Sequence, residues 1–190
     1  MKALRNLTWA CGVATLIWVM TGCGSREPTQ VPSGVPGPGP QASAAPATVP
    51  AAPQVALDLQ FGDAVKLKGY TLGKAPDGKT ELMLFWECLA PVADDYAVFV
   101  HLFPGERSVL PSDRQKLGYL NLDNRPATAT SRWEAGKTYV SKHRGVVPSG
   151  KYRTAVGLYS MRTGKRMQPA GEAAGAPEPQ SVLLGEIAVE

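Results

Sequence analysis

From Val55 to Glu190 the apolar residues come in runs too short and too regularly broken to build helices. Glu81-Leu82-Met83-Leu84-Phe85-Trp86-Glu87 and Tyr96-Ala97-Val98-Phe99-Val100-His101-Leu102-Phe103 are apolar on both faces, the pattern of strands buried between layers. Val65-Lys66-Leu67-Lys68-Gly69-Tyr70-Thr71 alternates apolar with polar, as a half-buried strand does. Ala75-Pro76-Asp77-Gly78-Lys79 is a turn by composition, because Asp-Gly accepts the positive φ of a tight hairpin. Further strands are predicted at 117–122, 137–140, 152–160 and 181–189. No stretch of about a dozen residues has helical periodicity with caps, and turn signals recur about every 8–12 residues. The expectation is an all-β sandwich of about 136 residues, long enough to bury a proper core.

One local pattern sharpens this. In Pro148-Ser149-Gly150-Lys151-Tyr152 a turn glycine stands two residues before a tyrosine that opens an alternating strand. That is the sequence form of a tyrosine corner, which pins the crossover of an immunoglobulin-like Greek-key sandwich. Tyr152 and Gly150 are therefore expected to be structural, with Thr154, Val156 and Leu158 on the same face as Tyr152. Trp86, ending a central strand, is expected in the core.

Upstream the chain is different. Lys2 and Arg5 precede Leu7–Met20, which carries no charge. Fourteen helical residues rise about 21 Å, short of the roughly 30 Å hydrocarbon core, so the layout fits an export signal better than a spanning helix. Met20-Thr21-Gly22-Cys23 resembles the bacterial lipobox. The resemblance implies a thioether from Cys23 to diacylglycerol, cleavage before Cys23, and acylation of the freed amine with palmitate or a similar chain. The signal peptide would be residues 1–22. Gly24 stands where an aspartate would resemble the inner-membrane retention signal of enteric bacteria, so an outer-membrane destination follows in a two-membrane cell. Residues 23–54 then form an acylated cysteine and a Pro/Ala/Gly-rich tether. Eight of the chain's 17 prolines fall between Gly24 and Gln54, with almost no charge, a composition that cannot bury enough surface to fold.

Removal of Lys2 and Arg5 leaves 18 basic against 16 acidic residues. A balance so close to neutral gives no reason to expect nucleic acid as a partner. With Cys11 in the signal and Cys23 acylated, Cys88 lacks an intramolecular partner, and the domain must rely on its core.

The ordered spacing of Phe61-Gly62-Asp63, Leu67-Lys68-Gly69-Tyr70, Phe85-Trp86-Glu87, Asp95–Leu102, Asp123-Asn124-Arg125-Pro126, Thr130-Ser131-Arg132-Trp133, Pro148–Tyr152 and Gly157-Leu158-Tyr159 resembles an uncharacterised module. That β-sandwich module is found at the C-terminal end of some bacterial membrane glycosyltransferase-like proteins. The resemblance spans roughly 61–167. The membrane-embedded enzyme is missing here, so the resemblance implies no inherited reaction.

Catalytic chemistry is hard to place. There is no Gly-x-Ser-x-Gly elbow, and Cys88 with His101 is the sole thiol–imidazole combination, with nothing to acidify the thiol. His101 and His143 are too few for a histidine-rich metal site; no cofactor or metal is expected. Asp94-Asp95 invites calcium or glycosidase readings, but aspartates after Ala90-Pro91 more often cap turns. Ligand contact is expected from Trp133, Tyr96, Tyr119, Asp123 and Arg125, since exposed rings stack on sugars while polar groups fix hydroxyls. Trp133 could equally plug the sandwich edge. Lys142-His143-Arg144, Lys151, Arg153, Arg162, Lys165 and Arg166 form a basic half, read as a solvated face or as a site for phosphate-bearing polymers. The expectation for function is a lipid-anchored envelope protein with a non-catalytic binding or scaffolding domain. Its partners would be the membrane and an envelope glycan or protein. A glycan-binding module and a hydrolase with an unseen centre stand as alternatives.

Overall fold

The computed structural model describes residues 50–106, 109–170 and 176–190. The signal, the lipobox with Cys23 and most of the tether lie outside the described residues. The chain runs β1 (Val55–Phe61), β2 (Val65–Lys74), β3 (Thr80–Cys88), β4 (Tyr96–Pro104), a single-turn helix α1 (Ser112–Gln115), β5 (Leu120–Asn121), a 3-10 turn (Thr130–Arg132), β6 (Thr138–Gly145), β7 (Gly150–Ser160) and β8 (Val182–Val189). Two antiparallel four-stranded sheets result. Sheet A has the order β1-β2-β3-β6 and sheet B the order β5-β4-β7-β8. The chain changes sheet between β3 and β4, between β5 and β6, and again between β6 and β7.

Alternation decides what lies between the sheets. Leu82, Leu84, Trp86 and Cys88 of β3 face Val98, Val100 and Leu102 of β4, with Tyr152, Val156 and Leu158 of β7, in one continuous core. Each such buried side chain contributes about 1.5–3 kcal/mol relative to an exposed one. Phe61 meets Trp86 at 5.7 Å between ring centroids, tilted by 59°, the offset that aromatic quadrupoles favour.

The predicted turn forms at 75–79, where Ala75 donates to the Lys79 carbonyl at 2.8 Å and Gly78 sits at φ 78°. The tyrosine corner forms as well. Tyr152 is fully buried and its hydroxyl donates to the Pro148 carbonyl at 2.8 Å. Gly150, at φ 153°, makes the turn that aims the ring inward, a conformation that side chains resist. Tyr152, Thr154, Val156 and Leu158 are all buried on one face, as their alternation predicts.

Three expectations need correction. The strand predicted at 117–122 shortens to Leu120–Asn121, because α1 and Gly118 occupy the approach. The strand predicted at 137–140 continues to Gly145, since β3 offers partners as far as Thr80, opposite Gly145. Strand β1 was not expected at all; it pairs Val55 to Phe61 with Tyr70 to Val65 along the edge of sheet A.

Part of the outer face of sheet B is buried as well, at Ala97, Phe99 and His101 of β4. On the face turned from the core, Phe99 lies over Gly157, and its ring is 1% exposed. A Cβ at Gly157 would intrude on Cζ and Cε1 of Phe99 and stand 3.1 Å from the Gln180 carbonyl. The Arg166 guanidinium stacks over the same ring, 4.2 Å from its centroid, so moving the ring also disturbs that contact. Gly157→Ala should therefore cost about 1–3 kcal/mol, as overpacking does, read as a lowered urea midpoint. An unchanged midpoint would show that the Phe99 ring is free to move.

Candidate ligand-binding cleft

Tyr96 begins β4, and its position is fixed by a short polar chain. Its amide donates to Thr130 Oγ1 at 2.8 Å, and that hydroxyl donates to the Asp94 carbonyl at 2.9 Å. The 3-10 turn at Thr130 thereby locks to the start of the strand. On the other flank, Asn124 pairs with Val98, sends its amide to the Lys142 carbonyl at 2.8 Å, and accepts the Arg125 N–H at 2.9 Å. Arg125 is left exposed, and it makes no ion pair with any described residue.

Between these anchors lies an open cleft of about 200 Å³ lined by Asp95, Tyr96, Arg125, Pro126, Ala127, Ala129 and Met161. It is smaller than the roughly 300–1,000 Å³ of drug-sized pockets and suits one ring or one short side chain. An aromatic, a cationic and an acidic residue are thus among those lining it.

Asp94 and Asp95 brace the start of β4, Asp94 against the end of β7 and Asp95 against the 3-10 turn. Asp94 accepts from Ser160 Oγ at 2.6 Å, from the Asp95 N–H at 3.0 Å and from Arg162 at 3.3 Å; Asp95 accepts from the Ser131 N–H at 3.1 Å. The Ser160 hydroxyl, foremost among these, holds the Asp94 carboxyl below the usual range, and Ser131 does the same for Asp95. Among the described residues no group of three or more His, Cys, Asp or Glu is placed to hold a metal ion.

The remaining ligand candidates lie elsewhere. Trp133 is 3% exposed, donates Nε1–H to the Thr128 carbonyl at 3.0 Å, and stacks on Tyr139 at 4.8 Å and 4°. It packs as the edge-plugging alternative has it, with little of its ring exposed to stack on a sugar. Tyr119 stacks on His101 at 4.2 Å, and Asp123 accepts the Val100 N–H at 3.0 Å while standing 3.3 Å from His101 Nε2. Both belong to a polar cluster around His101. Asp123 also lines, with Asn124, Lys142 and Arg144, a separate open hollow.

The known protein families, the curated proteins and the solved structures compared with this chain give no match.

Cys88 and His101 form no pair. Cys88 lies in the core with its thiol on the Ala90 carbonyl at 3.2 Å, and burial pushes its pKa up; His101 is on the outer face of sheet B. The basic half is likewise dispersed. Arg144 pairs with Glu81, Lys151 with Glu186, Arg162 with Asp94 and Arg166 with Glu178. His143 does not belong to a solvated face, because period-2 alternation turns it inward between Lys142 and Arg144. It is fully buried in a relay that sequence reasoning missed: Trp86 Nε1–H donates to Ser141 Oγ, which donates to His143 Nε2, while Nδ1–H donates to the Leu122 carbonyl, each at 2.9 Å. Of the two neutral tautomers, only the Nδ1–H form satisfies every link. Burial foremost depresses its pKa to about 4. The relay ties edge strand β6 of sheet A to the segment leaving β5 in sheet B.

Proposed function

We propose that this chain is a lipid-anchored protein of a bacterial envelope whose β-sandwich is a non-catalytic binding domain. The observation that carries the binding reading is the cleft at the start of β4. There Tyr96, Asp95 and Arg125, which has no ion pair among the described residues, line one cleft on a frame tied through Thr130 and Asn124. Three groups with catalytic potential are otherwise engaged: Cys88 in the core, His143 in a buried relay, and Asp94 by Ser160 and Arg162. Anchoring rests on Met20-Thr21-Gly22-Cys23 and its resemblance to the lipobox. Diacyl attachment at about 0.8 kcal/mol per buried methylene would hold such a domain at a membrane permanently. An outer-membrane location is part of the same reading. We also read the strand order, with the tyrosine corner opening β7, as immunoglobulin-like.

A glycan is the ligand class the cleft favours. Its size admits one sugar ring, Tyr96 offers an aromatic surface, and Arg125 and Asp95 can bind hydroxyls or an acidic substituent. Two variants of the full chain test the proposal. Cys23→Ser should leave an unprocessed or soluble form that no longer partitions into detergent like a lipoprotein; unchanged mass and unchanged partitioning would remove the anchor. Arg125→Ala should weaken binding of envelope oligosaccharides by about 1 kcal/mol or more, roughly fivefold, without lowering the thermal midpoint. Equal binding by the variant would remove the cleft.

A further inference from the structure

His101 stands on the outer face of β4 with a carboxylate at each ring nitrogen. Nδ1 is 2.9 Å from Glu178 Oε1, and Nε2 is 3.3 Å from Asp123 Oδ1. A carboxylate at neutral pH is an acceptor alone, so each contact needs an N–H from the ring. Neutral imidazole has one N–H and can satisfy one side; the imidazolium has two and satisfies both.

The surroundings make this a fastening between distant segments. Glu178 precedes β8 and is held by Arg166 at 2.9 Å on its other oxygen, while Arg166 also donates to the Pro179 carbonyl at 2.9 Å and covers Phe99. Ser181 Oγ donates to the Glu178 carbonyl at 2.7 Å, and Gln180, at φ 55°, turns the chain into β8. Asp123 belongs to the segment leaving β5. Tyr119 stacks on the ring, and Phe103 packs against Tyr119 at 5.2 Å. Further along the same face, Arg153 of β7 stands opposite Glu186 of β8. Among the described residues, the titratable and charged groups at or near the ring are thus Asp123, Glu178, Arg166 and Tyr119, with Arg153 and Glu186 further along the face.

We propose that His101 is a proton-operated clasp: as an imidazolium it ties Glu178 and Asp123 across the outer face of sheet B, and losing one proton releases one of the two ties. The shorter contact, to Glu178, retains the remaining N–H. Asp123 is then left facing a lone pair, its Val100 N–H bond intact, in the hollow it shares with Lys142 and Arg144. The clasp thus converts an external pH change into a change of charge and order at the 122–124 edge. Burial by itself draws the His101 pKa down, but the hydrogen bonds and charges of Asp123 and Glu178 outweigh it and the net direction is up. The clasp is therefore closed below the ordinary histidine value of 6.5 and opens as pH rises through the folded-state pKa.

A pH titration of the nitrogen-15-labelled full chain by NMR tests this directly. The expected result is a His101 pKa above 6.5, with Nε2 losing its proton while Nδ1 keeps it. The Val100 and Asn124 amides should shift in the same transition. Glu178→Gln should lower the His101 pKa and leave that of His143, which titrates far below, unmoved. A His101 pKa at or below 6.5 overturns the proposal on the wild-type protein alone, as do Val100 and Asn124 amides indifferent to the His101 transition. A Glu178→Gln variant with an unchanged His101 titration would overturn the clasp equally.

Discussion

Tyr152→Ala should unfold at a markedly lower denaturant concentration than the wild type, a loss of roughly 3–5 kcal/mol. The residue is fully buried in the core between the sheets, and its removal opens a cavity at the crossover into β7. Domains of this size have total stabilities of about 5–15 kcal/mol, so such a loss leaves a substantial unfolded fraction. Tyr152→Phe keeps the ring and deletes only the bond to the Pro148 carbonyl, at a cost of about 1 kcal/mol. The ratio between the two variants is the informative quantity. Equal losses would mean that the hydroxyl, and not the ring, holds the corner. Neither variant should alter ligand affinity of the folded fraction, because Tyr152 is remote from the residues lining the cleft.

Acid should weaken the domain through His143. The unfolded histidine binds a proton near 6.5, whereas the buried ring resists it until about 4. The neutral ring's contribution is complete above pH 6.5 and is lost as pH falls toward 4, up to about 3 kcal/mol at the lower end. His101 has the opposite sign, its contribution being complete below 6.5 and lost in the alkaline direction. Stability measured by urea denaturation from pH 7 to pH 4 should therefore fall in the wild type, and His143→Gln should flatten the fall while lowering the value at pH 7. A wild-type curve indifferent to pH over that interval would mean that His143 is accessible and the Trp86–Ser141–His143–Leu122 relay is not formed.

The legible parts of this chain were those encoded within a few residues. Tyr152 announces itself because Gly150 and Pro148 sit beside it in sequence, and Asp77-Gly78 because a hairpin turn needs little else. The core strands were visible in their apolar runs. Strand β1 was not: Val55-Ala56-Leu57-Asp58-Leu59-Gln60-Phe61 follows a Pro/Ala-rich stretch, and as an edge strand it buries only Phe61 completely. The stop placed after Val140 had a larger consequence. Carried on to Gly145, the same alternation turns Ser141 and His143 inward and Lys142 and Arg144 outward, which dissolves the apparent basic cluster.

The placement of the candidate residues was legible only in part. Tyr96 and Arg125 share a cleft, as residue type suggested, while Trp133, Tyr119 and Asp123 are taken by partners that sequence cannot supply. Trp133 is covered by Tyr139 across a turn, and His101 meets Glu178 from 77 positions away. Such pairings depend on which sheet the chain enters after each crossover, and short-range pattern carries no trace of that choice.

The most direct measurement for a binding domain of this kind is chemical-shift mapping of the full chain against a panel of envelope oligosaccharides. Saturable shifts at Asp95, Tyr96, Arg125 and Met161, with the oligosaccharide recovered chemically intact, are the predicted result. Shifts confined to another part of the sandwich, or cleavage of the oligosaccharide during the titration, would contradict it.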